Sequence, residues 1–147
     1  MKNIKKILIF LALISCSPKP EPIKFGKDTC DYCKMLISDP KFGAEIVLKT
    51  GRVYKFDDVG CMVSFIFERN IRDDEVKNFL VVDYKTGKLI DATRSFYILN
   101  DNVRSPMAYN IVAFENPDDA DKFFKENGGK IMNWAEVIDY TRRHSGR

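Results

Sequence analysis

Residues 44–69 read AEIVLKTGRVYKFDDVGCMVSFIFER. Residues 44–49 and 52–56 are rich in β-formers, with Thr50-Gly51 between them, which predicts a hairpin. Asp57 or Asp58 then stands where a helix cap belongs. Val59, Met62, Val63, Ile66 and Phe67 recur at helical spacing through Arg69. The hydrophobic period changes from that of a strand to that of a helix within one short stretch. A strand pair followed by a helix, without regular βαβ alternation, points to an α+β fold.

Working outward toward the C-terminus, residues 70–78 (NIRDDEVKN) read as a polar loop whose charges are solvated. Residues 79–84 (FLVVDY) read as a strand, Lys85-Thr86-Gly87 as a turn and residues 88–92 as the returning strand. Lys49-Thr50-Gly51 and Lys85-Thr86-Gly87 occupy similar places, a hint of two related halves. Residues 96–99 are apolar and residues 108–115 form another strand. Asn116 caps a helix with Pro117 at its first position, Ala120, Phe123 and Phe124 form its buried stripe, and Gly128-Gly129 ends it. A last helix covers residues 133–143, with Trp134, Val137 and Ile138 on one face.

Toward the N-terminus, residues 30–39 (CDYCKMLISD) carry a sulfur cluster and run into a short strand. Residues 16–29 contain Pro18, Pro20 and Pro22 and read as a stiff extended tether. Lys2, Lys5 and Lys6 precede the apolar run of residues 7–14, and Ser15 and Cys16 follow it. That order is the pattern of an export signal, and the run falls well short of the ~20 apolar residues that span a bilayer. Removing residues 1–15 leaves a chain of one-domain size. It takes away three of the 24 basic residues and none of the 21 acidic ones, so the remainder is neutral. A neutral domain without a basic stripe gives no electrostatic case for nucleic acid.

Four cysteines are present: Cys16, Cys30, Cys33 and Cys61. With Cys16, at the end of the export signal, set aside, three remain. An odd number cannot all pair within one chain, so at least one thiol is free, metal-bound or reactive. In Cys30-x-x-Cys33-x-Met35, an extended backbone points Cys33 and Met35 to one face, and Cys30 reaches it through a turn. Thiolate and thioether sulfur select Cu(I), whereas zinc prefers four cysteine or histidine donors. The single histidine, His144, lies in the polar tail. A Cys30–Cys33 disulfide and a thiol oxidoreductase remain alternatives. The oxidoreductase needs a helix N-terminus behind its first cysteine, and Pro40 follows instead. Cys61 lies in the first turn of its helix, off the apolar stripe, and reads equally as a thiolate or as a buried core residue. Met107 follows Pro106 just before a strand. Met62 and Met132 read as core.

Leu13-Ile14-Ser15-Cys16 resembles a bacterial lipobox, which implies cleavage before Cys16 and its acylation (palmitate or a similar chain). Cys-x-x-Cys-x-Met, Asp39, the hairpin and Phe56-Asp57-Asp58-x-Gly60-Cys61-Met62 together resemble the NosL family. So do the later Val82-x-Asp, Asp91-Ala92, Pro106-Met107, Ala113-Phe114 and Gly128-Gly129. The resemblance implies two related β-hairpin-plus-helix units in one compact domain over residues 30–147, distantly similar to organomercurial lyase. It implies an envelope lipoprotein, not an enzyme, that binds Cu(I) and serves as a copper chaperone in nitrous oxide reductase maturation. It places Cys33 and Met35 on the N-terminal sulfur motif, Met107 on the later methionine, and Cys30 and Cys61 on recurrent cysteines. The family often has glycine where this chain has Lys34. Ser17 after the lipid cysteine, in place of aspartate, favours a periplasm-facing outer-membrane location. A copper-buffering lipoprotein without a dedicated acceptor, or a lyase using cysteines and a carboxylate, are the further alternatives.

Overall fold

The computed structural model describes residues 17–145. The expected signal peptide and the lipid-bearing Cys16 lie outside the described residues. Among these residues, no helix is long and apolar enough to cross a membrane.

The elements run β1 (Ala44–Leu48), β2 (Val53–Phe56), α1 (Val59–Arg69), β3 (Val76–Val82), β4 (Leu89–Asp91), β5 (Phe96–Leu99), β6 (Ile111–Phe114), α2 (Pro117–Asn127), β7 (Lys130–Met132) and α3 (Trp134–His144). One sheet has the order β2-β1-β3-β4 and the other β6-β5-β7. All of their pairings are antiparallel. The fold is α+β. Its two hairpin-plus-helix units are β1–β2–α1 and β5–β6–α2. The two Lys-Thr-Gly turns therefore do not mark these units: both close hairpin connections within the first sheet.

In the first sheet Ala44 stands opposite both Phe56 and Val81, and Ile46 opposite Tyr54 and Phe79. The pleat puts these side chains on one face, where they meet Met62 and Val63 of α1 in the main core. Glu45 and Val47 point the other way and are also fully buried. The N-terminal segment lies over this face at Glu45: the Glu21 amide donates to Glu45 Oε1 at 2.9 Å, Ile23 is buried, and a Cβ on Gly43 would stand 3.1 Å from Ile23 Cδ1. The expected tether is thus folded onto the sheet from about Glu21 onward.

Helix α1 begins where its cap was predicted. Asp58 takes the extended N-cap conformation, and Asn70 ends the helix in the left-handed conformation. Helix α3 packs against α1 and β5, with the Trp134 ring 6.1 Å from both Phe79 and Tyr97. Its N-cap Asn133 and Glu136 form a capping box. Helix α2 has Asn116 as its cap and lies on β5 and β6, burying Ala120 in a second core with Ile98, Val112 and Phe114.

Several boundaries differ from expectation. Strand β3 begins at Val76 rather than Phe79, because Asp73–Glu75 forms a 3-10 turn that leads straight into the pairing with Leu48. Residues 30–39 do not form a strand: one bridge, Thr29 to Leu36, closes a turn. Phe124 is 36% exposed, since the narrow three-stranded sheet covers only the Ala120–Phe123 side of α2. Strand β7, which sequence periodicity missed, adds a third strand beside β5.

Candidate metal centre

Three short segments meet at the N-terminal end of α1. The first is the turn of residues 30–35. The Cys30 amide donates to the Met35 carbonyl at 2.8 Å, and the Lys34 amide to the Cys30 carbonyl at 3.0 Å. The Asp31 amide donates to the Lys55 carbonyl, and the Asp31 carboxylate accepts from the Lys55 amide, each at 2.8 Å. This pair of bonds fastens the turn to β2. Lys34 has a φ of 65°. Cys33 and Met35 are therefore not on one extended strand face. Lys34 occupies a left-handed position that glycine adopts without steric cost.

The second segment is Asp57-Asp58, between the end of β2 and the start of α1, and the third is the first turn of α1 with Cys61. Together they bring Cys30, Cys33, Asp57 and Cys61 so close that their donor atoms all lie within 4.8 Å of one another. Cys30 and Cys61 are fully buried and Cys33 is half-buried. All three are free thiols. The Cys33 thiol donates to Asp57 Oδ2 at 3.3 Å, while Asp57 Oδ1 is buried with no hydrogen-bond partner among the described residues. A buried carboxylate oxygen left unpaired beside three sulfurs is stabilised by a cation. The donor set therefore fits a thiophilic metal ion.

The sulfurs differ in acidity. Hydrogen bonding from the Cys61 thiol, helped by backbone amides and opposed by burial, draws Cys30 down to about 7. Burial pushes Cys33 up to about 12, and the neighbouring Cys30 and Asp57 add to the rise. Cys61 is pushed up because its proton is the one given to Cys30, with burial and the Asp58 charge adding to the effect. Cys30 is therefore the sulfur most readily deprotonated. A metal that engages the other two must displace their protons.

Met107 sits half-buried in the loop before β6, and its amide donates to Asp58 Oδ2 at 3.1 Å. Asp58 Oδ1 accepts from the Cys61 amide at 2.9 Å. Burial holds the Asp58 carboxyl up at about 6. Met35 is 49% exposed and Leu36 52% exposed, on the outer side of the cysteine turn. Met62 and Met132 are core residues. His144 stacks on Tyr140 at 4.0 Å on α3. Of the residues singled out in the sequence, Cys30, Cys33 and Cys61 come together. Met107 is tied to the same helix terminus through its backbone, and Met35 stands at the exposed rim. The sequence marks Asp57 only as a candidate helix cap. The Asp57-Asp58 doublet was its one signal, since a helix needs a single cap and the second carboxylate is then left for other work.

The NosL family model matches residues 22–141. The copper-binding lipoprotein NosL of Stutzerimonas stutzeri is 25% identical over 146 residues, an alignment that spans 89% of this chain and 76% of that protein. The crystal structure of the copper chaperone NosL from Shewanella denitrificans superposes with a TM-score of 0.67 at 24% identity, covering 81% of this chain and 96% of the other. That likeness is one of fold.

Proposed function

The chain belongs to the NosL family, and from that premise we propose that it is a lipid-anchored copper carrier that holds one Cu(I) ion on sulfur and passes it to a periplasmic cuproenzyme. The observation that carries this reading is the convergence of three thiols and Asp57 at the start of α1. The relative from Stutzerimonas stutzeri is named for copper binding and for its lipid anchor. In this reading Cys33 and Met35 hold the ion at the rim and Met107 completes its shell, with the buried Cys30 as the next sulfur donor and Cys61 behind it as ligand or core. Copper is cargo. The exposed Met35 is the first ligand an incoming acceptor displaces, so the ion passes between proteins without being released. Residues 1–15 act as the export signal and Cys16 carries the lipid, which places the domain on the periplasmic side of the outer membrane. Nitrous oxide reductase is the acceptor, and the protein carries out transfer, not catalysis.

Anaerobic titration of residues 17–147 with Cu(I) against a chromogenic competitor tests the site, beside Cys33→Ser and Met35→Ala. One tight equivalent is expected, weakened by roughly tenfold or more in each variant. Binding that ignores Met35 and Cys33 sinks the copper reading. Cys30 and Cys33 would then return to thiol–disulfide chemistry, the second reading, which the ease of deprotonating Cys30 favours. Transfer of the bound ion to metal-free nitrous oxide reductase, followed by its activity, tests the acceptor. Retention of the ion would instead describe a copper buffer.

A further inference from the structure

Asp58 makes more bonds than a helix cap needs. It is 1% exposed. One oxygen accepts from the Cys61 amide at 2.9 Å. The other accepts from the Ser105 hydroxyl and the Met107 amide, each at 3.1 Å. A cap alone is served by one side-chain oxygen, and serine, threonine or asparagine would supply it. Only an acceptor-only group with two oxygens serves donors on both sides at once.

The loop it holds does not adopt a relaxed path. Ala108 has a φ of 60°, sparsely populated for a residue with a Cβ, and Asn110 follows it at 57°, a conformation asparagine tolerates. The loop closes on itself through the Asn110 amide to Ser105 Oγ at 2.9 Å and the Ala108 amide to the Ser105 carbonyl at 3.0 Å. It also presses on α1 a second time. A Cβ added to Gly60 would stand 2.0 Å from Tyr109 Cδ2, so the ring lies where the helix carries no side chain. The Tyr109 hydroxyl then reaches Ser64 Oγ at 3.1 Å. The Met107 loop is thus clamped to α1 on both sides of Cys61, at Asp58 and at Gly60–Ser64.

We propose that Asp58 is a positioning residue for the metal site: its single carboxylate fixes the backbone of Met107 to the helix turn that carries Cys61, so the thioether and the thiol are presented as one rigid pair. This rests on the copper reading above. Met35 belongs to the separate, exposed turn, and its response to metal does not depend on Asp58.

Methionine methyl NMR of the full chain in detergent micelles tests it, with Cu(I) itself as the diamagnetic probe and the methyl signals assigned through Met35→Leu and Met107→Leu. In wild type, one equivalent of Cu(I) moves both methyls. Asp58→Asn retains an oxygen for the cap but turns an amide toward the Ser105 and Met107 donors. In that variant the Met107 response is lost, the Met35 response persists, and copper affinity falls about tenfold, the scale of a lost outer-shell partner. Ser105→Ala removes one of the two loop donors and gives a smaller change in the same direction, which keeps the test decisive if Asp58→Asn fails to fold. A purely structural Asp58 would lower the melting midpoint and leave the Met107 response per bound copper unchanged. That result, in either folded variant, overturns the inference. A wild-type protein that binds no Cu(I), or binds it without moving the Met107 methyl, overturns the site reading on which the inference stands.

Discussion

At the scale of single residues, the cysteine turn depends on one backbone conformation. Lys34 takes a φ of 65° between Cys33 and the exposed Met35. A left-handed conformation costs an ordinary residue about 1 kcal/mol, and a β-branched one more. Lys34→Gly relieves that strain but adds freedom to the unfolded chain, so its stability is expected within about 0.5 kcal/mol of wild type. Lys34→Val is expected to lose about 1–2 kcal/mol and to weaken copper binding, because the turn must open to accommodate it. Urea midpoints and Cu(I) competition on the two variants check this. Equal stability of the glycine and valine variants would show that the turn is not held left-handed. The Cys-x-x-Cys-x-Met spacing revealed which residues matter here, but not how they stand. The spacing allowed an extended path, and the left-handed angle at Lys34 comes from bonds to β2 that no local pattern encodes. Asp57 was hidden for a similar reason: its role comes from the Cys30–Met35 turn folding over it.

At the scale of elements, β1 is buried on both faces, and this explains an otherwise anomalous side chain. Glu45 is fully buried. Its Oε1 accepts from the Glu21 amide at 2.9 Å, and its Oε2 has no partner among the described residues. Lys55 on β2 ties Asp28 at 2.9 Å and Glu21 at 3.4 Å instead. Burial pushes Glu45 up to about 7, against the lowering effects of the Glu21 amide and Lys55. The folded state therefore prefers the neutral acid. Its contribution is fully present below the ordinary value of 4.5 and is lost as pH rises through about 7. Glu45→Gln is expected to match wild type near pH 4 and to exceed it by about 3 kcal/mol near pH 8. Denaturant unfolding of both proteins across that range checks the sign. A variant no more stable than wild type at pH 8 would show that Glu45 stays ionised at no cost. Elements with strong local signals were legible: the hairpin, α1 with a cap at Asp57 or Asp58, α2 with its Asn116 cap, and the body of α3. Strand β7 and the early start of β3 were not, because short pairings are set by the neighbouring strand rather than by their own periodicity.

At the scale of the whole molecule, the N-terminal segment is part of the fold. Its three prolines read as a spacer, and proline-rich chain does run extended. An extended chain is also what lies flat on the outer face of a sheet. Ile23 is 8% exposed within the main core, and the Gly26 amide donates to the Ile37 carbonyl at 2.8 Å. Lys77 on β3 reaches back to Ser17 and Pro18. The composition of residues 16–29 carries no sign of this, since one isoleucine among prolines and charges has no periodicity to betray a buried face. The packing has an energetic consequence. Ile23 covers Gly43 and Val82, and beside it the segment shields the Glu45 carboxyl from water. Ile23→Ala removes buried methyl groups and leaves a cavity, which costs about 2–4 kcal/mol. It should also admit water to Glu45, drawing that carboxyl back toward its ordinary range. The loss is therefore expected to be larger near pH 5 than near pH 8, because a hydrated Glu45 no longer gains from being neutral in the folded state. A tether that merely spaces the domain from a membrane predicts no loss at either pH. Unfolding free energies of Ile23→Ala at the two pH values separate these cases, and the cysteine turn, fastened to β2 through Asp31 and Lys55, is expected to keep its geometry in the fraction that remains folded.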